Sequence, residues 1–260
     1  FAGGSAAFWA YKLTEYAGPI WYVSNSAGSD TNSGSQTSPF KTITKALSVC
    51  VSGNTVQIAA GTYAETIVID TNNISLIGAD SSATIIDAGD SNTANTAVIV
   101  VSKATGGLIK DLTIRDGFDG IYYSDTSSGM IIENCNILSN KRYGFNRAGS
   151  GYPLLLQDNN FSNNDSYAIY SFTANNAIEK LINNSGENNG VDGILIIGER
   201  VGSWDVNDTF VLKYNQLPYY VQGDIDVYDA GGGGGGGDNY SILKIETGVV
   251  MKFYNNAGIN

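Results

Sequence analysis

The chain has 260 residues, with 25 acidic against 14 basic side chains, a formal net charge of −11 and no histidine. That balance argues against a nucleic-acid partner, whose phosphates need a basic face, and against docking on anionic lipid. The missing histidine removes Ser-His-Asp triads, Cys-His dyads and every His-ligated zinc site.

Charged residues make up only 15% of the chain, below the ~25% usual in globular domains. Gly, Asn, Ser and Thr take their place, which favours short strands and turns over long helices. Residues 1–20 read as a lead segment without a basic n-region, so no intact signal peptide is expected. No run of ~20 apolar residues occurs, so no membrane insertion is expected. Phe1 and Asn260 read as cuts in a longer polypeptide. The acidic, Lys-poor composition fits a secreted or cell-surface protein.

The loop from Ser26 to Ser38 is polar and Gly-rich. Asp30 within it has two readings: an Asx-turn, or a calcium ligand together with Asn32 and backbone carbonyls. Pro39 marks a helix entry, and Ile43, Ala46, Leu47 and Cys50 follow at helical spacing. Gly53 is the expected stop. A short amphipathic helix over Thr42 to Val49 can cover the open end of a stack of strands. Val56 and Ile58 begin the first coil. Ile67 and Ile69, Ile74 to Ile77, Ile85 and Ile86, and Val98 to Val101 mark further strands. Cys50 and Cys135 lack metal-ligand spacing and read as buried thiols.

From residue 112 onward the chain repeats. Ile121, Phe145, Ile169 and Ile194 each follow a Gly or Ala, at spacings of 24, 24 and 25. Ile114, Ile137, Phe161 and Ser185 form a second column, and Leu112, Cys135, Asn159 and Asn183 a third. Gly117, Asn140, Asn164 and Asn188 form a fourth. A coil of this length cannot bury its own apolar face, but stacked coils share one continuous core. The fold class predicted is therefore all-β: a right-handed parallel β-helix of ~24 residues per coil with a short N-terminal capping helix. Asn140, Asn164 and Asn188 read as a turn ladder, because Asn tolerates left-handed geometry and its amide bonds the amides above and below.

The stretches WYVSNSAGSDTNSGSQTSPFKTITKAL (21–47) and GNTVQIAAGTYAETIVI (53–69) resemble the opening of pectate-lyase-like β-helix proteins, a superfamily of bacterial extracellular and surface proteins. Asn54 replaces the more usual Asp. The resemblance implies a β-helix with its cap over residues 21–202. LPYYVQGDIDVYDA (217–230) and SILKIETGVVMKF (241–253) resemble the opening of a further β-helix module, with Thr247 where Pro is usual. Residues 203–260 accordingly read as the start of a second, truncated module. Gly231 to Gly237 read either as a very flexible loop or as placeholders for other residues.

The resemblance also implies acidic polysaccharides as substrates of the superfamily's enzymes. A lyase without histidine would need Lys, Arg or Tyr as its base, and cations to hold the substrate carboxylate. Lys141, Arg142 and Arg147 are the catalytic candidates, although none of the lyase motifs is present. Asp116 and Asp119, with Asp30, are the candidates for Ca²⁺; Asp125 and Asp192 lie near the same strand ends. Tyr122, Asn146 and Tyr170 share one column, with Tyr143 and Tyr167 just before it. Tyrosines beside amides suit a sugar ring, and the bland alternative is packing within the sheet. The expectation is a non-catalytic surface or assembly module with some glycan affinity, the alternative a polysaccharide lyase. Polysaccharide or other surface proteins are the expected partners, together with self-association through open strand edges or ends.

Overall fold

The structure, a computed structural model, describes residues 18–90, 96–124, 126–148, 151–173, 180–198, 200–201, 209–227, 242–254 and 257–260. Asp125 and Gly231 to Gly237 lie outside the described residues. Among the described residues, apart from one helix, Ile43–Val49, the elements are strands, most of them three to five residues long. They form the expected right-handed parallel β-helix: each coil passes in turn through a first, a third and a second parallel sheet. The first sheet has seven strands, from Ile20–Val23 to Leu181–Ile182. The second has eight, from Ile67–Ile69 to Met251–Phe253, and the third has five, from Gly61–Tyr63 to Asn160–Ser162. Two further strand pairs, Arg200–Val201 with Asp226–Val227 and Thr209–Leu212 with Ile242–Ile245, are also parallel.

The interior follows from strand alternation. In the first sheet Val56, Leu76, Ile109, Ile132, Leu156 and Leu181 lie one above another and all are buried. In the second, Ile67, Ile99, Ile121, Phe145, Ile169 and Ile194 do the same. Ile121 pairs with Ile99, 22 residues earlier. The second sheet continues across the sequence boundary at 202/203, because Tyr219–Gln222 pairs with Val191–Ile197 and then with Met251–Phe253.

The turns between sheets are built from left-handed residues. Asp111, Asn134, Asp158 and Asn183 have φ of 56°, 52°, 54° and 51°, and Asp116, Ser139, Asn163 and Asn188 have φ of 57–60°. Short polar side chains take this conformation at least cost after glycine. In the later coils the residue that follows is an asparagine, and these asparagines form two ladders. Asn140 Nδ2 donates to Asn164 Oδ1 (2.8 Å), and Asn164 Nδ2 to Asn189 Oδ1 (2.9 Å). A second ladder runs from Asn159 to Asn184 to Asn215 (3.1 and 2.9 Å).

The ladders therefore use Asn184 and Asn189 where the 24-residue spacing points to Asn183 and Asn188. Ser185 likewise bridges Asn160 and not Phe161. The cause is a bulge in the strand Tyr167–Thr173. Ile169 pairs with Ile194 but Phe172 with Ile196, and Ser171 has φ 68°. The extra residue puts Leu181, Asn184, Asn189 and Ile194 each 25 residues after Leu156, Asn159, Asn164 and Ile169.

The helix covers the amino-terminal end, packing on the strands Ile20–Val23, Thr55–Ile58 and Ile67–Ile69 with Ile43 and Ala46 buried. Thr42 is its N-cap, its side chain accepting from Lys45 N at 3.1 Å. The helix stops at Cys50, three residues before Gly53, and Asn54 Oδ1 accepts from Val51 N in the turn that follows. Both cysteines are free; Cys135 is buried, whereas Cys50 is only half-buried.

Candidate functional site

The amino-terminal signature residues are tied into the cap. Asp30 accepts from Lys41 N (3.0 Å), Thr42 N (2.9 Å) and Thr42 Oγ1 (3.0 Å). Partial burial alone would raise its pKa; the bonds from Thr42 and Lys41 outweigh that and hold it below the usual carboxylate range. Glu65 accepts from Ile43 N, Thr44 N and Thr44 Oγ1 at the first turn of the helix. Trp21 Nε1 donates to Asn54 Oδ1 at 2.9 Å. This part of the sequence is architectural.

The second sheet carries the remaining candidates. Asp119 is only 1% exposed. It receives Arg142 Nε at 2.9 Å and Arg142 Nη2 at 2.6 Å, and also Asn146 Nδ2 (2.8 Å) and Tyr143 N (3.3 Å). Four donors saturate its two oxygens, so Asp119 is an anchor for Arg142. The guanidinium in turn lies 4.5 Å from the Phe118 ring and 4.7 Å from the Tyr143 ring. The other face of Tyr143 carries Tyr170, with ring centroids 4.0 Å apart and planes at 7°. Burial, then the neighbouring Tyr170, pushes the Tyr143 phenol up to about 12. Phe118, Arg142, Tyr143 and Tyr170 thus form one continuous stack across successive coils.

From Tyr170 the stack continues through Tyr167 into a cleft. Tyr167 lies 6.0 Å from Tyr170 and meets Tyr220 edge-on at 6.2 Å, the planes at 84°. Tyr254 lies 6.0 Å from Tyr220, and its hydroxyl is 2.5 Å from that of Tyr167. Tyr220 reaches this position by lying across Gly193, where a Cβ would come within 2.4 Å of the ring. Lys252 Nζ donates to the Tyr220 hydroxyl at 2.9 Å. Tyr167, Gln222, Gly223 and Tyr254 line a cleft of about 440 Å³. Burial, and then the Tyr254 hydroxyl, raise the Tyr167 phenol well above its ordinary pKa, so Tyr167 presents a neutral hydroxyl at physiological pH.

The structure thus brings Tyr143, Tyr167 and Tyr170 together with Arg142. Tyr122 and Asn146 lie in register with Tyr170 but outside this ring cluster, and Asn146 is buried on Asp119. Arg147 is buried at an inward position beside Tyr123 and donates to the carbonyls of Gly151 (2.6 Å) and Ser171 (2.8 Å). Lys141 pairs with the exposed Asp90 at 2.6 Å. Asp116 occupies a left-handed turn position and pairs with Arg115 at 3.2 Å; burial, then Asp87, raises its pKa. Among the described residues no group of three or more Cys, Asp or Glu side chains is arranged to hold a metal ion. Gln222, Tyr220 and Tyr254 follow the end of the 24-residue register; the one signal for Tyr220 and Gln222 is the alternation in the YYVQ strand.

A model of the DUF1565 family, described as a protein of unknown function, matches residues 26–200. The chain belongs to the DUF1565 family. No curated protein matches it. Among solved structures, this DUF1565 chain is similar to the pectin methylesterase from carrot, at 18% identity and TM-score 0.41, covering 94% of this chain and 84% of that one. The Aspergillus niger pectin methylesterase matches at 13% identity and TM-score 0.42, covering 93% and 84%. A pectin methylesterase solved in complex with a hexasaccharide matches at 14% identity and TM-score 0.41, covering 88% of this chain and 66% of the other. The DUF1565 chain thus spans just under two thirds of that protein. Family and topology together make it a pectate-lyase-like right-handed parallel β-helix.

Proposed function

We propose that this β-helix is a non-catalytic extracellular or cell-surface module that holds a glycan against the outward face of its second sheet. The observation that carries this reading is the cleft lined by Tyr167, Gln222, Gly223 and Tyr254 at the end of the tyrosine stack. Sugar rings offer C–H faces to aromatic side chains and hydroxyls to amides and phenols, and the cleft supplies both kinds of partner. A binding role is favoured over a lyase because the cations needed for carboxylate capture are engaged elsewhere. Arg142 is matched by Asp119, Lys141 by Asp90, and Arg147 is turned inward.

Titration calorimetry against a panel of soluble oligosaccharides tests the reading. Binding is expected, weakened about tenfold by Tyr167→Ala, the scale of one lost aromatic contact. A panel of polyuronates with calcium is expected to yield no unsaturated product by ultraviolet absorbance. Turnover that is lost in Arg142→Ala would overturn the non-catalytic reading and establish the lyase.

A further inference from the structure

We infer that the ligand of the Tyr167–Tyr254 cleft is a neutral glycan and not a polyuronate. This rests on the cleft being the glycan site, and adds the charge class of the ligand. None of the described residues that line the cleft carries a charge: Tyr167, Gln222, Gly223 and Tyr254 offer phenol hydroxyls, an amide and backbone. Burial raises the pKa of the Tyr167 phenol, which therefore acts as a neutral donor and acceptor.

Capture of a uronate carboxylate is strengthened most by a cation able to reach it. Two cations belong to the tyrosine cluster. Arg142 sits at the far end of the stack, bonded through two nitrogens to Asp119 and covered by Phe118 and Tyr143. Lys252 lies against the Tyr220 ring and donates to its hydroxyl. On the other side, Asp224 follows directly on Gly223 of the cleft lining and is bonded to Gly258 N at 2.8 Å. A carboxylate one residue from the lining repels an anionic chain, and the net charge of −11 repels it at longer range. Ring stacking and amide bonding to hydroxyls are instead indifferent to charge, which is the chemistry the cleft offers.

The experiment compares neutral probes (cello-, xylo- and manno-oligosaccharides) with oligogalacturonate and oligoguluronate on the intact chain. It uses titration calorimetry at about 0.05 and about 0.5 M salt, a range that separates screened from unscreened attraction. A neutral probe is expected to bind with an affinity that changes less than about twofold between the two salts. Tyr254→Ala and Gln222→Ala, both at exposed positions, are expected to weaken it about tenfold. Tyr254→Phe tests whether the hydroxyl or the ring is recognised, and retained binding there assigns the contact to the ring. Binding confined to the uronates and lost at high salt would overturn the neutral assignment while leaving a glycan site in place. Neutral binding that survives both Ala variants would overturn the cleft as the site. Silence across both sets would overturn the glycan reading itself.

Discussion

At the scale of single residues, the buried amides carry the most specific energetics. Asn184 accepts from Asn159 N and Nδ2 and donates to Leu156 O and Asn215 Oδ1. Replacing it with Ala strands several buried partners at once, each with its own desolvation cost. A loss of about 2–4 kcal/mol is expected, read as a lowered urea midpoint. Tyr123 and Tyr143 set the alkaline limit. Burial pushes both phenols up to about 12, above the ~10 of an unfolded chain. Their contribution is intact below pH ~10, where both states are protonated, and declines as pH rises from there towards the folded value, because only the unfolded chain ionises. Denaturant titrations from neutral to strongly alkaline pH should show that decline.

Among the elements, the amino-terminal cap shows how a family signature translates into geometry. The carboxylates of Asp30 and Glu65 come from separate loops and converge on the backbone entering the helix Ile43–Val49. A seven-residue helix is marginal alone, and such N-terminal acceptors are worth about 1–2 kcal/mol each. Glu65→Ala should therefore lower the melting temperature, and Asp30→Ala should do so by a similar amount. The oxygens of Asp30 are already engaged by Lys41 and Thr42, so a chelator is expected to leave the melting temperature unchanged. A chelator-dependent drop of several degrees would instead place calcium in the fold. The bulge in Tyr167–Thr173 is the second decisive element, since the tyrosine stack passes into the cleft beside it.

For the whole molecule, stability is shared between neighbouring coils. Seven strands in the first sheet at ~4.8 Å give a stack about 30 Å tall. A residue in mid-stack packs against coils on both sides. Ile132 lies between Ile109 and Leu156 and is fully buried, so Ile132→Ala should cost about 2–5 kcal/mol. Met251, on the outermost strand of the second sheet, is only half-buried and pairs with one neighbour, Tyr219. Its change to Ala should cost about 1 kcal/mol or less. Equal costs in chemical denaturation would contradict a nearest-neighbour stack.

The architecture was legible in the sequence because a solenoid writes its geometry into a linear repeat. The columns through Ile121 and Ile114 recur at the length of one coil, so spacing alone located the inward residues and the Asn-bearing turns. The same arithmetic failed at Asn183 and Asn188, since a bulge adds one residue without leaving a compositional mark. It also could not say which polar residues are engaged. Arg147 and Arg142 look alike in sequence, yet strand alternation turns Arg147 into the core, whereas Arg142, in the turn before that strand, is closed onto Asp119. The cleft joins Tyr167 to Tyr254, 87 residues apart. That distance is set by how many coils intervene and by Gly193 leaving space for Tyr220, and both are properties of the packed stack.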